Sequence, residues 1–165
     1  MNNITVAIPK GRLGEQSIEL FKRIDLGNEI NIKSRKLVFN DEKNNITFIL
    51  LKNADVITYV ENGVADIGIV GKDMIMEKEA DIYELHNLNL GKCKMSIAGI
   101  KGQELFRKDM ILRIATKFPK ISKKYFRERE QGIELIKLNG SVELAPLVGL
   151  SDVIVDLVET GNTLK

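Results

Sequence analysis

Repeated short apolar runs, each followed by a turn and then a helical pattern, predict an α/β fold for this chain rather than a sandwich or a helix bundle. Three runs make the case: Ile4, Val6 and Ile8 alternating ahead of Pro9, Asp66-Ile67-Gly68-Ile69-Val70 ahead of Gly71, and Val153-Ile154-Val155 ahead of Asp156. With 165 residues the chain is long enough to bury a real core, as one domain or as two small ones.

The first strand stops at Pro9-Lys10-Gly11-Arg12, a turn with two cations. Leu13, Ser17, Leu20, Phe21 and Ile24 then recur at helical spacing and leave Glu15, Glu19, Lys22 and Arg23 on the other face. Leu37-Val38-Phe39 and Ile46 to Leu51 read as two strands joined by a polar hairpin connection over 40–45. Asp55 is the expected N-cap of a short helix through Tyr59 and Val60, closed by Gly63 in the left-handed conformation. Asp66 to Val70 reads as a buried strand opening into Gly71-Lys72-Asp73, with a helix from near Met74. After a mixed passage over 77–89, Cys93 to Ile100 restarts the pattern as a strand, and a boundary near Leu90 divides the chain into domains 1–90 and 91–165. Leu112 to Ala115, Glu134 to Leu138 and Val153 to Val155 are the remaining strands. Ile121 to Glu130, stopped by Gly132, and Val142 to Val148, closed by Gly149, are the remaining helices. No internal repeat and no low-complexity segment is visible.

Lys+Arg 25 against Asp+Glu 23 gives a net charge of +2, with both signs dispersed. That pattern argues against nucleic acid or a membrane surface as the main partner and leaves room for local anion sites. A lone Cys93 allows no intramolecular disulfide and reads as a small buried hydrophobe. The start of the chain runs straight into a strand without a signal-peptide pattern, and no apolar run approaches the ~20 residues that span a bilayer. A cytoplasmic protein is expected.

In α/β folds ligands lie beyond the carboxyl ends of the strands. Here those ends carry Lys10-Gly11-Arg12, Lys52, Gly71-Lys72-Asp73, Thr116-Lys117, Asn139-Gly140-Ser141 and Thr160 to Thr163, a set rich in cations, glycines and hydroxyls. The last ten residues, Asp156 to Lys165, suit a sugar phosphate: the acid can hold ribose hydroxyls, Gly161 allows close backbone approach, and Thr160, Asn162 and Thr163 offer hydroxyls, an amide and bare N–H groups. The same residues also make an ordinary turn and helix cap. A Walker A loop fails at Asp66 and Asp73, and the G-x-G-x-x-G pattern fails at Asp66 as well. With His86 and Cys93 each alone of its type, no zinc ligand set, histidine triad or thiol dyad has support, and His86 reads as a surface residue. Any metal should be a hard ion such as magnesium, brought mainly by substrate phosphates.

Taken in order, Ala7-Ile8-Pro9-Lys10-Gly11-Arg12-Leu13, Ala65 to Asp73, Ala115-Thr116-Lys117-Phe118-Pro119, Lys137 to Pro146, Gly149-Leu150-Ser151-Asp152, and Asp156 with the terminal Thr-Gly-Asn-Thr-Leu form one set. This set resembles the ATP phosphoribosyltransferases, in the short form that lacks a C-terminal regulatory domain. The resemblance implies a two-domain architecture like that of periplasmic binding proteins, with the active site in the interdomain cleft. It implies attack of adenine N1 of ATP on C1 of phosphoribosyl pyrophosphate with magnesium, the first step of histidine biosynthesis, by a catalytic subunit in a hetero-oligomer with a regulatory partner similar to histidyl-tRNA synthetase.

Residue by residue, the resemblance assigns Asp156, Glu159, Thr160, Gly161, Asn162 and Thr163 to phosphoribosyl pyrophosphate. Lys10, Gly11, Arg12, Gly71, Lys72 and Asp73 are assigned to ATP, with pyrophosphate as a further ligand of these turns. Glu143, in the Gly-Ser-x-Glu segment, is assigned to the ribose or its developing cation, and Lys52 to the leaving pyrophosphate. No residue is assigned to a metal. The family's chain continues past Thr-Gly-x-Thr-Leu for several more elements, including a return to the first domain. This sequence is therefore expected either to be a piece of a longer protein or to lack part of the first domain's sheet. A non-catalytic small-ligand binding module and an assembly subunit of the same fold stand as the alternatives.

Overall fold

The computed structural model describes residues 3–102 and 110–158. The chain divides into two compact units, Met1–Gly91 and Lys92–Lys165.

In the first unit the elements run β1 (Ile4–Pro9), α1 (Arg12–Lys22), β2 (Val38–Asp41), β3 (Ile46–Leu51), α2 (Asn53–Glu61), β4 (Ile67–Gly68) and α3 (Lys72–Lys78). The sheet order is β2-β3-β1-β4, with β3, β1 and β4 parallel and β2 antiparallel on the edge. Alternation along β1 sends Val6 and Ile8 to one face, where they pack with Ile18 of α1, Phe39, Phe48 and Leu50. Ala7 faces the other side with Val56 of α2 and Ala65. Fully burying a side chain such as Phe48 or Ile8 contributes about 1.5–3 kcal/mol, so these two faces dominate the unit's stability. Small residues are needed under α2: a Cβ on Gly68 would come within 2.7 Å of Val60 and 2.9 Å of Val56. At the β2–β3 turn the buried Asp41 carboxylate accepts from the Gly27 N–H at 3.0 Å and from Asn44, and the Gly27 bond holds its pKa below the usual range.

In the second unit the elements are β5 (Lys94–Gly99), β6 (Leu112–Thr116), α4 (Pro119–Arg127), β7 (Ile133–Lys137), α5 (Leu144–Leu147) and β8 (Val153–Val158). The order is β5-β8-β6-β7, with β8, β6 and β7 parallel and β5 antiparallel. Leu112, Ile114, Val153 and Val155 pack with Phe126 of α4, and Ala115 and Ile154 pack on the opposite face with Val142 and Ala145.

Several elements depart from the sequence expectation. Helix α2 begins at Asn53, so Asp55 lies in its first turn and is not the N-cap; Lys52 is, in extended backbone without a side-chain cap. Strand β4 is two residues long and Ile67 is 40 % exposed, because β4 bonds only to β1 and lies at the sheet edge. Helix α4 starts two residues early because Pro119 fits its first turn, where a missing N–H is harmless. Helix α5 is confined to Leu144–Leu147. Strand β8 runs on to Val158 because β5 pairs along it, with Lys94 opposite Val158. Asp156 is therefore a strand residue opposite Ser96, not the first residue of a loop. Cys93 precedes β5 and is exposed, not buried.

The two units share a β-α-β-α-β path in which the first strand lies centrally, giving β3-β1-β4 in one and β7-β6-β8 in the other. The repeat is in topology and not in residue identity. One device recurs with it. Asp66, just before β4, accepts from the Thr5 N–H at 2.8 Å and returns its own N–H to the Thr5 carbonyl at 2.9 Å. Asp152, just before β8, accepts from the Arg113 N–H at 2.8 Å and returns its N–H to the Arg113 carbonyl at 2.9 Å. Here the arginine adds its guanidinium at 2.7 Å, which holds the Asp152 carboxyl below its ordinary range.

Two stability predictions follow from this packing. Because the folded Asp152 pKa is depressed, its charge stabilises the protein fully above the unfolded value near 3.8, and the contribution disappears as the pH falls through the lower folded value. The wild type should therefore melt a few degrees above Asp152→Asn at neutral pH and lose that advantage below pH 3.8, read by thermal melts across pH. At Gly14 an added Cβ would lie 1.8 Å from the Pro9 carbonyl oxygen. Gly14→Ala gains up to about 1 kcal/mol of helix propensity, but the clash costs about 3 kcal/mol or more, so urea denaturation should show a clear net loss.

Candidate functional site

Because β3, β1 and β4 are parallel, their carboxyl ends release three turns on one edge of the first sheet: Lys10-Gly11-Arg12, Lys52-Asn53 and Gly71-Lys72-Asp73. The Lys10 N–H donates to the Leu51 carbonyl at 2.7 Å, which ties the first two turns together. Gly11 has φ +90°, a conformation that a side chain would strain, and it is the N-cap of α1. Gly14 lets α1 start directly over the Pro9 carbonyl. Neither α1 nor α2 has a side-chain cap at its N-terminus. Their first N–H groups and the positive helix ends thus face the same edge as the exposed Lys10, Arg12 and Lys52, an arrangement suited to phosphates.

The third turn is different in character. Lys72 is paired with Glu84, a residue of the mixed passage over 77–89 that carries no motif. Both side chains are substantially exposed, so the pair is weak and an incoming phosphate can replace the carboxylate. Asp73 folds back over its own turn, where a Cβ on Gly71 would lie 2.1 Å from Oδ1. Burial raises its pKa, while bonds from its own N–H and that of Met74 partly offset the effect. Asp73 therefore serves the start of α3 itself. Asn53 is a residue that sequence reasoning passed over: its side-chain oxygen is buried at the start of α2 without a hydrogen-bond partner. Its place directly after Lys52 was the available signal.

In the second unit β6 and β7 end together in the same way, and β8 runs three residues past them to Val158. Thr116 is fully buried, and its hydroxyl donates to the Val155 carbonyl at 2.7 Å and accepts from the Phe118 N–H at 2.9 Å. The Leu138 N–H reaches the Thr116 carbonyl at 3.0 Å, so this residue links the ends of β6 and β7 to β8. Lys117 is exposed immediately beyond it. Asp156 is half-buried and its Oδ1 accepts from the Leu157 N–H at 2.9 Å. Glu143 is exposed as the N-cap of α5, and its side chain makes no cap bond. The turn before it holds Ser141 at φ +48°, uncommon for a residue with a side chain and costing about 1–3 kcal/mol. Glu159, Thr160, Gly161, Asn162 and Thr163 lie outside the described residues. Among the described residues no three His, Cys, Asp or Glu side chains come together to hold a metal.

Comparison with known proteins agrees over the whole length. The family model described as HisG, ATP phosphoribosyltransferase, matches residues 52–165. An ATP phosphoribosyltransferase of Clostridioides difficile (strain 630) is 58 % identical over 165 residues, spanning 100 % of this chain and 79 % of the relative. One from Clostridium novyi (strain NT) is 52 % identical over 168 residues, again 100 % of this chain and 79 % of the relative. Among solved structures, the ATP phosphoribosyl transferase (HisG:HisZ) complex from Thermotoga maritima matches with a TM-score of 0.82 and 37 % identity, covering 98 % of this chain and 77 % of that one. A match of this extent in sequence and in fold means that the chain belongs to the ATP phosphoribosyltransferase family.

Proposed function

We propose that this chain catalyses the first step of histidine biosynthesis: adenine N1 of ATP attacks C1 of phosphoribosyl pyrophosphate, the bond from C1 to the pyrophosphate oxygen breaks, and pyrophosphate leaves. The observation that carries the reading is the 58 % identity along the full chain to an ATP phosphoribosyltransferase. The strand-end turns support it, since two polyanionic substrates need cations and open helix ends more than they need a strong base.

The transition state gathers positive charge on the ribose ring and negative charge on the departing pyrophosphate, so electrostatic stabilisation on both sides is the main requirement. In this reading the turns Lys10-Gly11-Arg12 and Gly71-Lys72-Asp73 bind ATP, the lysines and the arginine on its phosphates, and Lys52 takes the leaving pyrophosphate. Asp73 holds the start of the helix that carries Lys72. Asp156 accepts from ribose hydroxyls, and Glu143 faces the cationic ring. Thr160 to Thr163 bind the 5-phosphate through hydroxyls and backbone N–H groups, with Glu159 beside them on phosphoribosyl pyrophosphate. Holding both substrates in line contributes much of the remaining acceleration. Magnesium would be held mainly by the substrate phosphates and would supply positive charge to the departing pyrophosphate. The working form is a cytoplasmic hetero-oligomer with a regulatory subunit similar to histidyl-tRNA synthetase, a reading supported by the HisG:HisZ complex from Thermotoga maritima.

The test is pyrophosphate release by the protein together with the regulatory subunit. Release should require ATP, phosphoribosyl pyrophosphate and magnesium at once; tight binding of both substrates without release would remove the catalytic reading. Asp156→Asn and Thr163→Ala should each weaken phosphoribosyl pyrophosphate binding by about tenfold, the value of one hydrogen bond involving a charged group. Circular dichroism should remain unchanged, and unaltered affinity in both variants would remove the phosphoribosyl assignment.

A further inference from the structure

The Asp66 and Asp152 contacts align the two units residue by residue, Thr5 with Arg113 and hence, three positions on, Ile8 with Thr116. Both positions are fully buried near the end of a central strand. In the first unit the site holds a branched hydrocarbon. In the second it holds a hydroxyl, and burying a hydroxyl is unfavourable unless it is bonded. The Thr116 hydroxyl is bonded twice, to the Val155 carbonyl and from the Phe118 N–H. A strand end that only needed filling would be served by valine or isoleucine, as its counterpart is.

The two bonds reach the groups that border the proposed phosphoribosyl side. Val155 is the residue before Asp156, so fixing its carbonyl fixes the peptide plane from which Asp156 departs. The bond from Phe118 N–H closes the turn over 116–118 and sets where α4 begins, with Lys117 held between. We infer that Thr116 is a positioning residue for phosphoribosyl pyrophosphate: its hydroxyl locks β8 at Val155 to the turn before α4 and so orients Asp156 toward the ribose. The inference rests on the assignment of Asp156 given above.

The experiment is magnesium–phosphoribosyl pyrophosphate titration by calorimetry, with ATP titrated in parallel, on the full-length protein in complex with its regulatory subunit. Thr116→Val keeps the shape and removes the hydroxyl; Thr116→Ser keeps the hydroxyl. Thr116→Val should weaken phosphoribosyl pyrophosphate binding by about fivefold to tenfold, the span of one ordinary hydrogen bond, and raise its KM by the same factor. Affinity and KM for ATP should not change, and Thr116→Ser should restore wild-type values. Should Thr116→Val fail to fold, Thr116→Cys against Thr116→Ser makes the same comparison. Equal losses for both substrates, or a serine variant no better than valine, would overturn the inference. Wild-type protein that binds phosphoribosyl pyrophosphate without releasing pyrophosphate would overturn the catalytic reading and leave this comparison intact.

Discussion

An aspartate at the entrance to the third parallel strand of each unit, gripping the backbone of the first parallel strand in both directions, is the contact on which the rest of the geometry depends. Asp66 holds Thr5, and Asp152 holds Arg113. A one-residue slip of β4 or β8 against its neighbour would turn every side chain to the opposite face. It would bury Asp66 or Asp152 and expose Ala65 or Val153. With the register fixed, the ends of the parallel strands fall at set positions, and each strand delivers its turn to the same edge of its sheet.

The same scaffold then carries two different chemistries. The first unit's edge holds Lys10, Arg12, Lys52 and Lys72 with helix starts that lack side-chain caps, a setting for polyphosphate. The second unit's edge holds Asp156 and Glu143, two carboxylates, and Thr116, whose hydroxyl ties β8 to the turn before α4. In the proposed reading ATP and the leaving pyrophosphate belong to the first and the phosphoribosyl group to the second. The difference lies in side chains at equivalent places, as Ile8 against Thr116 illustrates.

Much of the fold was legible because alternation in short strands is a local signal: Val6 and Ile8, or Leu112, Ile114 and their neighbours, could bury only as strands. Helix starts were less legible where no capping side chain marks them, which is why α2 begins at Asn53 ahead of the better-looking Asp55. The length of β8 was hidden because it depends on β5, paired from more than fifty residues away. Ala-Asp-Ile-Gly-Ile and Ser-Asp-Val-Ile-Val were both visible, but their equivalence is made of backbone bonds and shows only in the folded chain. At the candidate site the residue types at strand ends were readable. The partners that modify them were not: Lys72 meets Glu84 twelve residues on, and Asp73 turns back onto its own helix.

Hydrogen exchange with one substrate at a time tests the division of roles between the two edges. With ATP alone, protection should appear in the amides over 10–12 and 71–73. With magnesium–phosphoribosyl pyrophosphate alone it should appear over 156–163, at Phe118 and over 52–54. Protection of the same turns by both ligands, or phosphoribosyl pyrophosphate protecting only the first unit, would contradict the account.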